Sequence, residues 1–186
     1  ITVNNSGTVN NFGTGLLIIN TGSGMNIKTG AQLTNKGTLT NNGNISVYSN
    51  IDNQGTITNN SGATITNNSG AFITNNGTFT NNSGATITNN SGAYISSWNT
   101  FTNNGTINNN SSGTICNYGT SFINNGTITN NGYVFSVTNS ITNNGTFYDN
   151  FEIVIENFAT FTNNGTLIND CTIMNYCTIL RSEEHT

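Results

Sequence analysis

The chain has 186 residues, a net charge of −4 and only 5% charged residues, with 42 Asn, 33 Thr, 21 Gly and no Pro. Hydrophobic residues make up 33%, against roughly 45–50% in ordinary domains, so a conventional layered core is hard to build. The only basic residues are Lys28, Lys36 and Arg181, too few for the phosphate contacts that nucleic acids or anionic membrane surfaces demand.

In chain order, large apolar residues mark short units at Val3 and Val9. An irregular stretch follows and contains the longest apolar run, Leu16 to Ile19, which is far too short to span a bilayer. The units resume at Ile27, Leu33, Leu39, Ile45, Ile51, Ile57, Ile65, Ile73 and Phe79 and continue to Ile173 and Ile179, in steps mostly of 6, often of 8 and sometimes of 7 residues. No helix of 3.6 residues per turn gives that spacing. Within a unit, a small residue (Gly55, Ala63, Ala71, Gly77) stands two before the large one, and Thr flanks the large one on both sides. A strand sends alternate side chains to opposite faces, so Gly-Thr-Ile-Thr reads as small in, Thr out, large in, Thr out. Asn-Asn, often with Ser-Gly, then makes the corner, because these residues tolerate positive φ. This regular spacing of β-branched and aromatic residues argues against disorder.

A strand of about four residues cannot bury its own face. Stacked coils solve the problem, each pairing in parallel with the next. Residues 57–78 and 79–100 match at 16 of 22 positions, and each block holds three units. The expected fold is all-β: a parallel β-helix with three short strands per coil and about nine coils of 18–22 residues, right-handed. Ile57, Phe79 and Phe101 belong in one inward column. The Asn two residues after each large apolar residue (Asn59, Asn67, Asn75, Asn81, Asn89) should form ladders from coil to coil.

Residues 1–180 read as one repeat domain. The chain opens without Met, and its last six residues, "RSEEHT", depart from the repeat composition and back-translate to a common sequencing adapter. Residues 181–186 are therefore expected to be a non-native tail on a fragment of a longer chain. Cys116, Cys171 and Cys177 are expected to be buried and reduced.

"LTNKGTLTNNGNI" and the many "TNNGT" units resemble the Asn- and Thr-rich parallel β-helices of bacterial autotransporter passengers and filamentous-haemagglutinin-like adhesins. The six-residue unit is also similar to the left-handed hexapeptide helix, from which the Ser-Gly insertions depart. The resemblance implies a secreted or cell-surface location, and a host-cell surface, carbohydrate or matrix ligand. Continuing repeats of the parent chain would be a further partner.

Little in the sequence points to chemistry. The single His lies in the tail, which removes His-based triads and His metal ligands. No phosphate loop is present, and no cofactor is implied. The expectation is a non-catalytic structural or adhesive segment. One alternative is ice binding through outward Thr-x-Thr rows, with Thr56, Thr58, Thr64, Thr66, Thr78, Thr80, Thr86 and Thr88 as candidates. That function needs one flat, unbroken face, and "VFS" (134–136), "FYD" (147–149) and "IVIE" (153–156) interrupt the Thr pattern. The other alternative is a carbohydrate-active enzyme using the acidic patch of Asp149, Glu152 and Glu156, since paired carboxylates cleave glycosidic bonds. Unit alignment puts Asp149 at a corner-Asn position and both glutamates outward. Trp98 also points outward as a candidate sugar contact, and Tyr48, Tyr118, Tyr133 and Tyr176 are scattered.

Overall fold

The computed structural model describes residues 1–4, 7–156, 159–176 and 178–181. The described chain folds into three parallel sheets of nine strands each, giving eight coil-to-coil steps. Strands visit the sheets in strict rotation. The first sheet runs from Thr2–Val3 to Thr166–Asn169, with Thr64–Asn67 and Thr86–Asn89 at its middle. The second runs from Thr8–Asn11 to Thr172–Asn175 and includes Phe72–Asn75 and Tyr94–Ser97. The third runs from Leu16–Ile19 to Thr178–Arg181 and includes Thr56–Asn59, Thr78–Asn81 and Thr100–Asn103. No helix occurs among the described residues. Arg181 closes the last strand of the third sheet; residues 182–186, with the rest of the expected tail, lie outside the described residues.

Each inward position repeats in register up the stack. Ile57, Phe79 and Phe101 pair in one column of the third sheet, as the 22-residue repeat requires. The rings of Phe79, Phe101 and Phe122 stack with centroids 4.9 Å apart and nearly parallel planes, a contact of about 0.5–1.5 kcal/mol beyond burial. Coil length varies from 18 residues between Asn35 and Asn53 to 24 between Asn11 and Asn35.

The early coils differ from the sequence pattern in phase. Met25, not Ile27, stands in the column of Ile45, while Ile27 pairs with Val47 at the corner position that Asn occupies elsewhere. Val3 shares that column with Ile27. The segment Gly24–Ile27 lacks the Thr-Ile-Thr signature, so two apolar residues two apart competed for one label.

Between residues 55 and 93, glycine and alanine divide the small position by corner length, whereas the long corner before Gly113 carries glycine there and Ser112 at φ 61°. At a short corner the chain turns so tightly that a Cβ on Gly77 would lie 2.0 Å from the Gly55 carbonyl oxygen. At the long corners a preceding glycine in the left-handed region, such as Gly62 (φ +79°) or Gly84 (φ +77°), swings the loop outward. The next position, Ala63 or Ala85, then carries a buried methyl.

The corner asparagines form three ladders. In the third sheet the Nδ2 of Asn41, Asn59, Asn81, Asn103, Asn124 and Asn143 each donates to the Oδ1 one coil on, at 2.7–2.9 Å, ending on Asn163. The same nitrogens donate to backbone carbonyls of the adjoining strands, as Asn103 does to Gly105 and Thr127. That second bond fixes which end of the amide is nitrogen. The following Asn of each pair makes an outer ladder in the opposite sense, Asn82 donating to Asn60 and Asn60 to Asn42. Asn-Asn therefore supplies one inner and one outer rung per corner. Its recurrence follows from the amide being both donor and acceptor on a short stem.

Candidate functional site: an aromatic notch on the second sheet

The three outer faces are chemically distinct. In the third sheet, Thr38/Thr40, Thr56/Thr58, Thr78/Thr80 and Thr100/Thr102 stand in register over four successive coils. The first sheet carries Thr64/Thr66 and Thr86/Thr88, and then Asn108 interrupts the row. The eight threonines singled out as ice-binding candidates are thus split between two faces. The units that interrupt the Thr pattern fall on the first sheet ("FYD") and the second ("VFS" and "IVIE"), leaving the third untouched.

The second sheet gathers aromatics that are far apart in sequence. Its outward column before the inward residue reads Phe72, Tyr94, Thr114, Tyr133, Glu152. The column after it reads Thr74, Ser96, Cys116, Phe135, Val154. Along the corner, Trp98, Tyr118, Val137, Glu156 and Tyr176 succeed one another, each backbone N–H bonding a carbonyl of the coil before. Trp98 is 53% exposed, as its sequence position suggests. It stacks on Tyr118 with centroids 4.4 Å apart and planes 13° apart.

Thr114 sits between Tyr94 and Tyr133 in the coils before and after, and Cys116 lies between Ser96 and Phe135, which leaves a notch of about 470 Å³. Tyr94, Tyr118, Tyr133, Phe135 and Glu156 are among the side chains that line it. The Tyr94 and Tyr118 hydroxyls meet at 3.3 Å, beside the Cys116 thiol. Burial pushes up the Tyr94 hydroxyl and the Cys116 thiol, and Glu156 raises the latter further. The Tyr118 hydroxyl is raised first by its hydrogen bond to Cys116. All three groups are therefore protonated at neutral pH. Tyr133 packs its ring parallel to Phe135 at 5.8 Å and meets Phe151 edge-on at 5.0 Å. A second, polar depression of about 380 Å³ lies on the same sheet beside Lys36, Asp52 and Gln54. Its carboxylate is already held by Gln54 and Asn76.

The acidic patch does not assemble as a surface site. Asp149 is fully buried and occupies a rung of the first-sheet ladder, accepting from Asn130 Nδ2 at 2.8 Å. Its other oxygen has no partner, and burial raises its carboxyl above the usual range. Glu152 and Glu156 face outward on the second sheet, so Asp149 is not a partner for either in acid–base work at a solvent-facing sugar. Among the described residues, no grouping of His, Cys, Asp and Glu is arranged to hold a metal ion.

Cys116 is buried and free, as expected. Cys171 is free but exposed, contrary to expectation. Its column leaves the core one coil earlier, where Phe151 projects outward at the position Gly132 holds in the coil before, and the thiol instead meets the Asn150 carbonyl. Cys177 lies outside the described residues. Tyr94 and Phe135 were not singled out from sequence. Counting the units in threes places them beside Tyr118 and Tyr133, and that count is the signal that finds the site.

No known protein family, curated protein or solved structure matches the chain. Fold and surface together define its class: an Asn- and Thr-rich parallel β-solenoid with stacked Asn ladders and one aromatic face.

Proposed function

We propose that this chain is a non-catalytic structural and adhesive rod of a secreted or cell-surface protein, in the manner of the bacterial surface β-helices its repeats resemble. The observation that carries this reading is the collection of aromatics onto the second sheet. Inward positions are consumed by stacking, so recognition falls to the outer faces, and a concentrated aromatic patch on an otherwise Thr/Asn surface is the usual mark of a binding site. Host-cell surfaces, carbohydrate or matrix are the partners such a face suits. Several weak contacts along a rigid rod add through effective concentration. The test is retention of rod-coated beads on cell and matrix surfaces. Replacing Phe72 and Tyr133 by Ser should release the beads, and unchanged retention would refute the reading.

A second reading, ice binding, is favoured by the third sheet alone. Its threonine pairs form a grid of about 6.6 Å along the strand by about 4.8 Å between coils, unbroken over four coils until Ile123 takes a Thr position. Ice binding predicts thermal hysteresis at micromolar protein that Thr80→Tyr abolishes and Thr88→Tyr, on the first sheet, leaves intact. Absence of hysteresis removes this reading.

A further inference from the structure

We infer that the notch among Tyr94, Tyr118, Tyr133 and Phe135 is a binding site for an organic cation, of the class of a quaternary ammonium or choline headgroup. The inference rests on the second sheet being the binding face, and it names the ligand chemistry of one site on that face.

Three observations carry it. The walls are aromatic, and ring faces attract a diffuse cation that has no N–H to donate. The charge around the notch is of one sign. Glu156 lines the notch, and Glu152 stands one coil after Tyr133 in the same outward column. Lys28 and Lys36 lie in the first coils, where Lys28 is already spent over the Tyr48 ring at 5.0 Å. Among the described residues, no basic side chain lines the notch. The size also fits: about 470 Å³ lies within the range of small-molecule pockets and is open enough for a headgroup on a longer molecule to enter.

The notch exists because the repeat was broken in one place. The outward column steps from Tyr94 to Tyr133 across Thr114. An aromatic at 114 would close the gap. The Tyr94 and Tyr118 hydroxyls, in contact with each other at 3.3 Å, and the Cys116 thiol line the notch with Glu156, the carboxylate side chain among its lining residues.

Trp98, the only Trp in the chain, stacks on Tyr118 from the coil before and reports on the notch. The experiment titrates the chain with choline chloride and follows Trp98 emission. The neutral isostere 3,3-dimethylbutan-1-ol and methyl glycosides serve as comparison ligands. Choline should saturate the signal, and the isostere should bind at least about tenfold more weakly, because it forfeits the cation–π and carboxylate attraction. Glu156→Gln should weaken choline by a similar factor, Thr114→Tyr should abolish the response with Tm retained, and Thr80→Ser should change nothing. Equal binding of choline and the isostere would mean an apolar crevice and overturn the proposal. Saturation by a methyl glycoside without choline would assign the notch to sugars and overturn it too. So would a flat choline titration of folded protein. If the choline titration is flat while the Phe72 and Tyr133 substitutions abolish bead retention, the cation site fails and the adhesive reading stands.

Discussion

The third and second sheets share strand length, parallel register and rotation in the coil, yet their corners part ways at the fifth coil. The third sheet keeps an Asn rung from Asn41 to Asn163 without interruption. In the second, the ladder reaches Asn75 and meets Ser97 at a long 3.3 Å; Asn117, Ser136 and Ile155 follow in the same column. Trp98 emerges at the corner where that ladder fails, and the aromatic notch is lined from that same coil and the three that follow. Where the repeat is perfect, stacking accounts for every residue. The face where the repeat lapses is the one that carries side chains stacking does not require.

The largest effect should come from breaking the perfect ladder. Asn103→Leu removes the acceptor for Asn81 and the donor to Asn124, Gly105 and Thr127. Unsatisfied buried groups cost about 1–3 kcal/mol each, so a loss of about 3 kcal/mol or more is expected by urea unfolding. An equally stable variant would mean the ladders are incidental. Next comes the short corner. Gly77→Ala forces a methyl into the Gly55 carbonyl and should cost about 1–3 kcal/mol. Ala93→Gly at a long corner should cost less, and the reverse order would refute the division of glycine and alanine by corner length.

Asp149 is a buried, ionisable rung, so it should give a pH-dependent effect. Its carboxyl is raised in the folded state, first by burial. Protonation therefore favours the fold. This contribution is complete below the unfolded carboxyl pKa of about 3.9 and is lost as pH rises through the raised folded value. Around that rung, thermal stability should rise on acidification. Asp149→Asn should be more stable than the parent at neutral pH and should lose this dependence; a parallel pH profile for both proteins would contradict the assignment. The smallest effect is a repair. Ser97→Asn gives Asn75 a full rung to donate to and should stabilise by about 1 kcal/mol. A destabilised variant would show that the lapse at Ser97 is enforced by the corner around Trp98.

Much of this was legible in the residues because stacking makes one position speak for its whole column. The period, the inward column of Ile57, Phe79 and Phe101, the Asn ladders and the corner place of Asp149 all follow from alternation and the 22-residue match. Two kinds of feature were not legible. Phase is ambiguous where apolar residues alternate, as at Met25 and Ile27, because either fits an inward slot. Burial fails where a column turns out of the core, as at Phe151 and Cys171, since the small-residue rule assumes an intact coil. The notch was the hardest to see, because its walls are about twenty residues apart in sequence and only three-unit counting joins them.

The central claim is that uniform faces hold the rod together while the irregular face binds. Its most direct measurement is to return the second sheet to the repeat by replacing Tyr94 and Tyr133 with Thr and Tyr118 with Asn, and to record Tm and bead retention on the same protein. The account predicts an unchanged or higher Tm with retention abolished. Retention at the parent level, or loss of the fold, would contradict it.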